Sequence, residues 1–220
     1  MPTTGRLMPH LALGTLSALS VGALVLSLVQ STPVAPRQVH LAAAGTAAAS
    51  SFAIQETIQQ VASGRVARQQ TIVEKYQAPD RIEVTNSGVT ERVIGTTGYA
   101  STDGGATWTK LAQPVDARQA VPVLLAPLRF VERASNVKAS SGQDRFTYVA
   151  PLGDFITSLH LAIGGSFPRT AVPMVVSVSG EFLTGMTAHF AFQGKQYVLR
   201  IGYSQIDTLP ELVAPTVAGG

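Results

Sequence analysis

From Phe52 onward, apolar and polar residues alternate with a period of two. Phe52, Ile54 and Ile58 fall on one side, and Gln55, Thr57 and Gln59 on the other. Such alternation marks a strand with one face covered and the other wet. Ser63-Gly64-Arg65 reads as a turn, so residues 66–76 are predicted to return as the second strand of a hairpin; helical spacing over 54–61 is the competing reading. Pro79 fixes its own backbone angle and extends Ala78, which ends one strand at Gln77 and starts the next at Arg81. Asn86-Ser87-Gly88 is a hairpin turn between strands predicted at 81–85 and 89–94. Asp103-Gly104-Gly105 is another, between 98–101 and 107–111. The strands follow one another as an antiparallel meander.

Between residues 118 and 134 the rhythm changes. Val121, Leu124, Leu125, Leu128 and Val131 recur at three and four residues, the spacing of one helix face. Pro122 suits a first turn, while Pro127 is expected to kink or divide the helix. Strands resume at 136–139 and 145–150 around Ser141-Gly142, and 172–179, 184–192 and 196–203 close the sheet. Residues 151–169 read as a short helix and a glycine-rich loop. The predicted class is α+β: a curved antiparallel sheet covered by short helices.

The corner Gln77-Ala78-Pro79-Asp80-Arg81, the strand Val93-Ile94-Gly95-Thr96-Thr97-Gly98-Tyr99 and the segment Thr107-Trp108-Thr109-Lys110 together resemble the LolA-like superfamily. That group includes periplasmic lipoprotein carriers and the LppX/LprG-type lipoproteins, whose half-barrel sheets hold acyl chains. The closing Ile201-Gly202-Tyr203-Ser204, followed by Pro210 and Pro215, is similar to the family's last strand and proline-spaced tail. The likeness covers about residues 51–215 and lies mainly in the corners. It implies a half-barrel whose mouth is covered by the helices after the first strands.

Ahead of this domain, residues 11–29 contain no charged side chain. Nineteen such residues are close to the ~20 that a membrane-crossing helix needs, and Arg6 before them equally suits a secretory signal. Residues 1–30 are therefore an anchor or a cleaved signal, and either places the domain outside the cytoplasmic membrane. Residues 31–50, rich in Ala, Pro, Ser and Thr, read as a flexible tether, and 51–215 as the folded domain. The absence of cysteine excludes disulfides, thiol catalysis and a lipidated cysteine anchor of the kind many LppX/LprG relatives carry. Of the 16 basic residues, Arg6 and Arg37 precede residue 51, which leaves 14 against 13 acidic ones. A near-neutral domain without a clustered basic footprint is not a nucleic-acid surface.

Candidate chemistry is sparse. Ser101-Thr102-Asp103-Gly104-Gly105-Ala106-Thr107-Trp108 fits the Asp-box S-x-D-x-G-x-x-W of sialidase-type propellers, where the Asp caps a turn over the Trp. A propeller repeats the unit in every blade, and no second copy occurs here. Glycoside hydrolysis needs two carboxylates flanking one site. Asp80, Glu83, Asp103 and Asp154 are available, each at a position more typical of a cap or a solvated charge. His160 and His189 lack metal-like or triad-like spacing and read as partly buried structural histidines. Gly164-Gly165 lacks the lysine and helix start of a phosphate loop. No catalytic residue, metal ligand or cofactor follows.

What remains is the apolar interior. Phe52, Ile54, Ile72, Ile82 and Val84, with Phe146 and Tyr148, share a strand parity that directs them to one side. Leu124, Leu125 and Leu128 face them from the divided helix, with Leu125 and Leu128 expected at the mouth. The resemblance makes this set the lining of an acyl-chain cavity, in a non-enzymatic carrier whose partners are a lipid, a glycolipid or the acyl chains of a lipoprotein. LolA-like domains also resemble periplasmic regulators of envelope stress. A sensory module with a protein partner is therefore the first alternative, and a glycoside hydrolase the second.

Overall fold

The computed structural model describes residues 34–140, 144–151, 153 and 170–217. The predicted hydrophobic helix at 11–29 and nearly all of 151–169 lie outside the described residues. Eleven strands form one sheet in which every neighbouring pair is antiparallel: β1 (Ser51–Ala62), β2 (Arg65–Gln77), β3 (Arg81–Asn86), β4 (Val89–Ile94), β5 (Thr97–Ser101), β6 (Thr109–Lys110), β7 (Lys138–Ala139), β8 (Arg145–Pro151), β9 (Ala171–Ser179), β10 (Phe182–Phe192) and β11 (Lys195–Ser204). Their order is β6-β5-β4-β3-β2-β1-β11-β10-β9-β8-β7. Each half is a meander, and the halves join where the last strand pairs with the first, Ile54 opposite Tyr203 and Ile58 opposite Leu199. The fold is the expected α+β half-barrel.

The turns are those the residue types demand. Ser87 (φ 52°) and Gly88 (φ 85°) occupy the left-handed region between β3 and β4, as a two-residue hairpin loop requires. The predicted helix is divided. Helix α2 (Ala117–Leu124) starts from Asp116, whose side chain accepts a hydrogen bond from Arg118 N, and α3 (Ala126–Glu132) restarts with Pro127 in its first turn. A proline is tolerated there because its missing N–H would have no helical partner. Pro122 instead lies in the second turn of α2 rather than the first.

The segment expected to be a tether departs most from expectation. Residues 34–48 form helix α1 (Val34–Ala48). Val39, Ala42, Ala43 and Thr46 are buried along one stripe, at the i, i+3, i+4, i+7 spacing of a helix face. The stripe is built of small side chains, so the helix lies close to the sheet. A methyl group on Gly45 would sit 2.5 Å from the carbonyl oxygen of Glu181 in the β9–β10 turn. Thr46 Oγ1 donates to Ala42 O (3.0 Å) and accepts from Leu183 N (2.9 Å), next to a register shift in β10. His40 Nε2 donates to Ala134 O, beyond the end of α3, at 2.8 Å. The folded unit therefore begins before residue 51. Alanine is the strongest helix former, and tertiary contacts order what composition alone suggested was loose.

Residues 205–217 cross the outer face of β1–β4 without forming a strand. Asp207 N donates to Ser51 O (2.8 Å), and Leu212 N to Gln77 Oε1 (2.9 Å). Leu209 and Leu212 cover Ala53 and Ile94. Arg81 holds Glu211 Oε1 at 2.5 Å and Leu212 O at 3.0 Å.

Candidate functional site

Strand parity builds the interior. Phe52, Ile54 and Ile58 of β1 align with Ile72 and Tyr76 of β2, Ile82 of β3 and Leu199, Ile201 and Tyr203 of β11. Phe146 and Tyr148 extend the same face across β8. Nine of the ten residues expected to line the interior are buried in one continuous cluster, and the tenth, Val84, is partly buried against it. Leu124, Leu125 and Leu128 enter it from α2, the break and α3. Leu128 is fully buried, so it lies deeper than the mouth position expected of it. Phe52 is the aromatic centre, with Tyr76 at 5.3 Å and Tyr203 at 6.2 Å between ring centroids.

Four polar residues share this apolar face. Glu56 follows Ile54 by two residues on β1, and Glu74 lies opposite Ile54 on β2. Both carboxyl groups are buried at 1% exposure, and neither is isolated. Tyr148 and Tyr203 are equally deep, and their hydroxyls have no hydrogen-bond partner among the described residues. Burial pushes both phenols up; Tyr203 is raised further by the nearby Glu56, Glu74 and Tyr148. The curvature of the sheet thus brings β8 within electrostatic reach of β11. Burying such groups in an apolar core is unfavourable unless hydrogen bonds compensate. Parity could have revealed the carboxylates, since Phe52-Ile54-Glu56-Ile58 and Ile72-Glu74-Tyr76 each run along one face.

The interior adjoins a pocket of about 520 Å³ between the two helices and the end of β8. Tyr148 and Ala150 form its sheet wall, Pro122, Ala126 and Phe130 its helix wall, and Arg129 and Arg133 its rim. Of the ten expected lining residues, Tyr148 alone borders it. Arg129 and Phe130 were not singled out in the sequence, because the period of three and four points to the helix face opposite the pocket.

A second pocket, about 620 Å³, lies on the outer face between β2–β4, the β5–β6 loop and the tail. Glu83 sits at its base, accepting from Lys75 Nζ at 2.6 Å and from Arg92 Nε at 2.7 Å. Burial pushes the Glu83 carboxyl up, but the hydrogen bonds and charges of Lys75 and Arg92 outweigh it and hold it below the usual range. Arg92 also donates to Val213 O (2.8 Å) and lies 4.7 Å above the Trp108 ring.

The Asp-box forms the β5–β6 loop. Asp103 accepts from Thr107 N (2.9 Å), Thr107 Oγ1 (2.6 Å) and Ser101 Oγ (2.7 Å), and Trp108 Nε1 donates to Gly105 O (2.9 Å). The hydrogen bonds from Thr107 and Ser101 lower the Asp103 carboxyl to about 2. Both carboxylate oxygens are engaged in holding the turn. His189 is exposed on β10, contrary to the partly buried position expected, while Asp154 and His160 lie outside the described residues. No cluster of three or more metal-ligating side chains occurs among the described residues.

The architecture is similar to that of two solved structures. The Mycobacterium tuberculosis lipoprotein LppX aligns over 82% of this chain and 99% of its own, with a TM-score of 0.50 and 12% identity. LprF from Mycobacterium bovis aligns over 86% and 99%, with a TM-score of 0.51 and 14% identity. No protein-family model and no curated protein matches the sequence. The chain shares the fold of these two lipoproteins. Identities this low establish the fold; the ligand must be argued from the site.

Proposed function

We propose that this chain is an exported carrier domain of the cell envelope, which holds the acyl chains of a lipid, glycolipid or lipoprotein inside its half-barrel. The observation that carries the reading is the pocket beside Tyr148. It continues the apolar face of the sheet to the surface, under a helix pair broken at Leu125. Its volume lies within the range of small-ligand sites, roughly 300–1,000 Å³. Removing acyl chains from water contributes about 0.8 kcal/mol per CH₂, so no cofactor or covalent step is needed. Helix α3 acts as the lid: Leu128 and Val131 hold it to the core, and Phe130 meets the ligand. Residues 11–29 direct export and, if retained, tether the domain to the membrane; among the described residues, no helix is long and apolar enough to cross one.

Mass spectrometry of organic extracts from the purified protein tests the reading, together with uptake of a fluorescent lipid at micromolar concentration. Co-purifying acyl lipids and saturable uptake are expected. Phe130→Asp is expected to weaken uptake by about tenfold, because it sets an unpaired charge against acyl chains. Absence of both co-purifying lipid and uptake would remove the carrier reading and leave the sensory one.

A further inference from the structure

The carrier reading does not explain why phenols and carboxylates lie at the centre of an apolar interior. Tyr203 is 4% exposed and Tyr148 2%, and neither hydroxyl has a hydrogen-bond partner among the described residues. Phenylalanine would fill either position without leaving a hydroxyl to desolvate. Glu56 and Glu74 stand on adjacent strands of the same face, two residue pairs apart in the β1–β2 register. Tyr203 on β11 thus lies within electrostatic reach of carboxyls from β1 and β2 and of the Tyr148 phenol of β8, and Tyr148 also forms part of the wall of the 520 Å³ pocket.

We infer that Tyr148 and Tyr203, backed by Glu56 and Glu74, form an internal polar subsite for a hydroxyl group of an uncharged amphiphile, of which a monoacylglycerol is the simplest form. The inference rests on the carrier reading and specifies its ligand. A phenol both donates and accepts a hydrogen bond, and a carboxyl group offers acceptors in either protonation state. A ligand group that both donates and accepts can therefore meet the phenols and the carboxyl acceptors together. A hydroxyl can donate to one partner and accept from another. An ionised fatty acid headgroup only accepts, and would bring a negative charge into a region of low dielectric. The subsite selects by headgroup, while the surrounding apolar side chains tolerate a range of acyl chains.

The test uses full-length protein titrated with 1-monolauroylglycerol, lauric acid and dodecylamine, each below its micelle-forming concentration, and repeats the series with Tyr203→Phe and Tyr148→Phe. Wild-type protein is expected to prefer the monoacylglycerol over the fatty acid by at least tenfold. Each Phe variant is expected to reduce that preference by roughly threefold to tenfold, the range of one net hydrogen bond. The melting temperature supplies the second readout. Without ligand, each variant should melt at the same temperature as wild type or higher, because a hydroxyl with no partner has been removed. Equal affinities for all three amphiphiles, or an unchanged preference in both variants, would overturn the subsite and leave the carrier reading standing. A lowered melting temperature with unchanged affinities would also overturn it, by assigning the hydroxyls to buried water. If none of the three binds to any form of the protein, the subsite is overturned, and the carrier reading falls with it only where co-purifying lipid and fluorescent-lipid uptake are also absent. Preference for dodecylamine would overturn the uncharged-ligand assignment in favour of a cationic one.

Discussion

Glu83→Gln isolates the ionic cluster on the outer face. The carboxylate is 5% exposed and receives hydrogen bonds from Lys75 and from Arg92. Breaking a fully buried ion pair costs about 3–5 kcal/mol, because the remaining charge is stranded. Here the cations are not fully buried: the Lys75 side chain is 37% exposed and that of Arg92 19%. Both can recover water, which reduces the expected loss to about 2–3 kcal/mol at pH 7. Glutamine keeps the shape, but it can satisfy only one of the two cations with its carbonyl and turns an amide N–H₂ toward the other.

The loss must also depend on pH in a defined sense. The folded Glu83 carboxyl lies below its ordinary value of 4.5. Its contribution is therefore fully present above 4.5 and disappears as pH falls through the lower folded value. Urea unfolding can be followed by the fluorescence of Trp108, the single tryptophan of the chain, whose ring lies under Arg92. An unchanged slope against urea is needed to read the midpoint shift as stability. A difference under about 0.5 kcal/mol at pH 7 would mean that the cluster behaves as a screened surface pair. A difference that persists undiminished well into the acid range would refute the linkage.

Other substitutions test the remaining assignments. Asp103→Ala should lower the melting temperature at pH 7 without affecting any catalytic activity. Its effect should fade between about pH 4 and pH 2, since a carboxyl held at about 2 contributes above its unfolded value and is lost as pH falls through the folded one. Glycosidase activity that vanishes in this variant at unchanged stability would reverse the structural assignment. Leu128→Ala should cost about 2–5 kcal/mol in chemical denaturation, the range for emptying a fully buried leucine site; a loss under ~1 kcal/mol would show that α3 is not docked. Gly45→Ala should destabilise by roughly 1–3 kcal/mol through the clash with Glu181 O, although alanine is the better helix former by about 1 kcal/mol. Neutral or stabilising behaviour would show that α1 does not lie against the β9–β10 turn.

The parts of the fold that were legible are those with strong local signals. The β1–β2 and β3–β4 hairpins follow from period-two alternation and from Gly64 and Gly88, and the helix break follows from Pro127. Helix α1 was not legible, because its buried stripe consists of Val39, Ala42, Ala43 and Thr46. Alanine carries little of the apolar contrast that marks a core-facing side, and the nearby prolines suggested a tether. The course of residues 205–217 was hidden for another reason. It is held by Arg81, Arg92 and Gln77, whose partners are backbone carbonyls, an N–H and Glu211 far away in sequence. Within the interior, the apolar members were read correctly from parity. Glu56 and Glu74 were passed over because a charged residue in a strand is ordinarily assigned to solvent.

That default fails here in an instructive way, because Glu74 and Glu83 occupy neighbouring rows of the same strand pair. Glu74 stands opposite Val84, and Lys75 opposite Glu83. A shift of one residue turns a side chain to the other face of a sheet, so the two carboxylates serve different surroundings. On the outer face, Glu83 meets two cations and ties β2 to β4 beneath the tail. On the inner face, Glu74 joins Glu56 and two tyrosines in a region otherwise built of Phe52, Ile54, Ile72 and Ile201. Stability explains the outer cluster, whose charges are matched by the chain itself. In the inner one, a phenylalanine side chain at each tyrosine would leave no hydroxyl to satisfy. A polar centre in an otherwise apolar half-barrel is better accounted for by what the interior takes in than by what holds it together. The Tyr203→Phe experiment therefore bears on function in a way that Glu83→Gln does not.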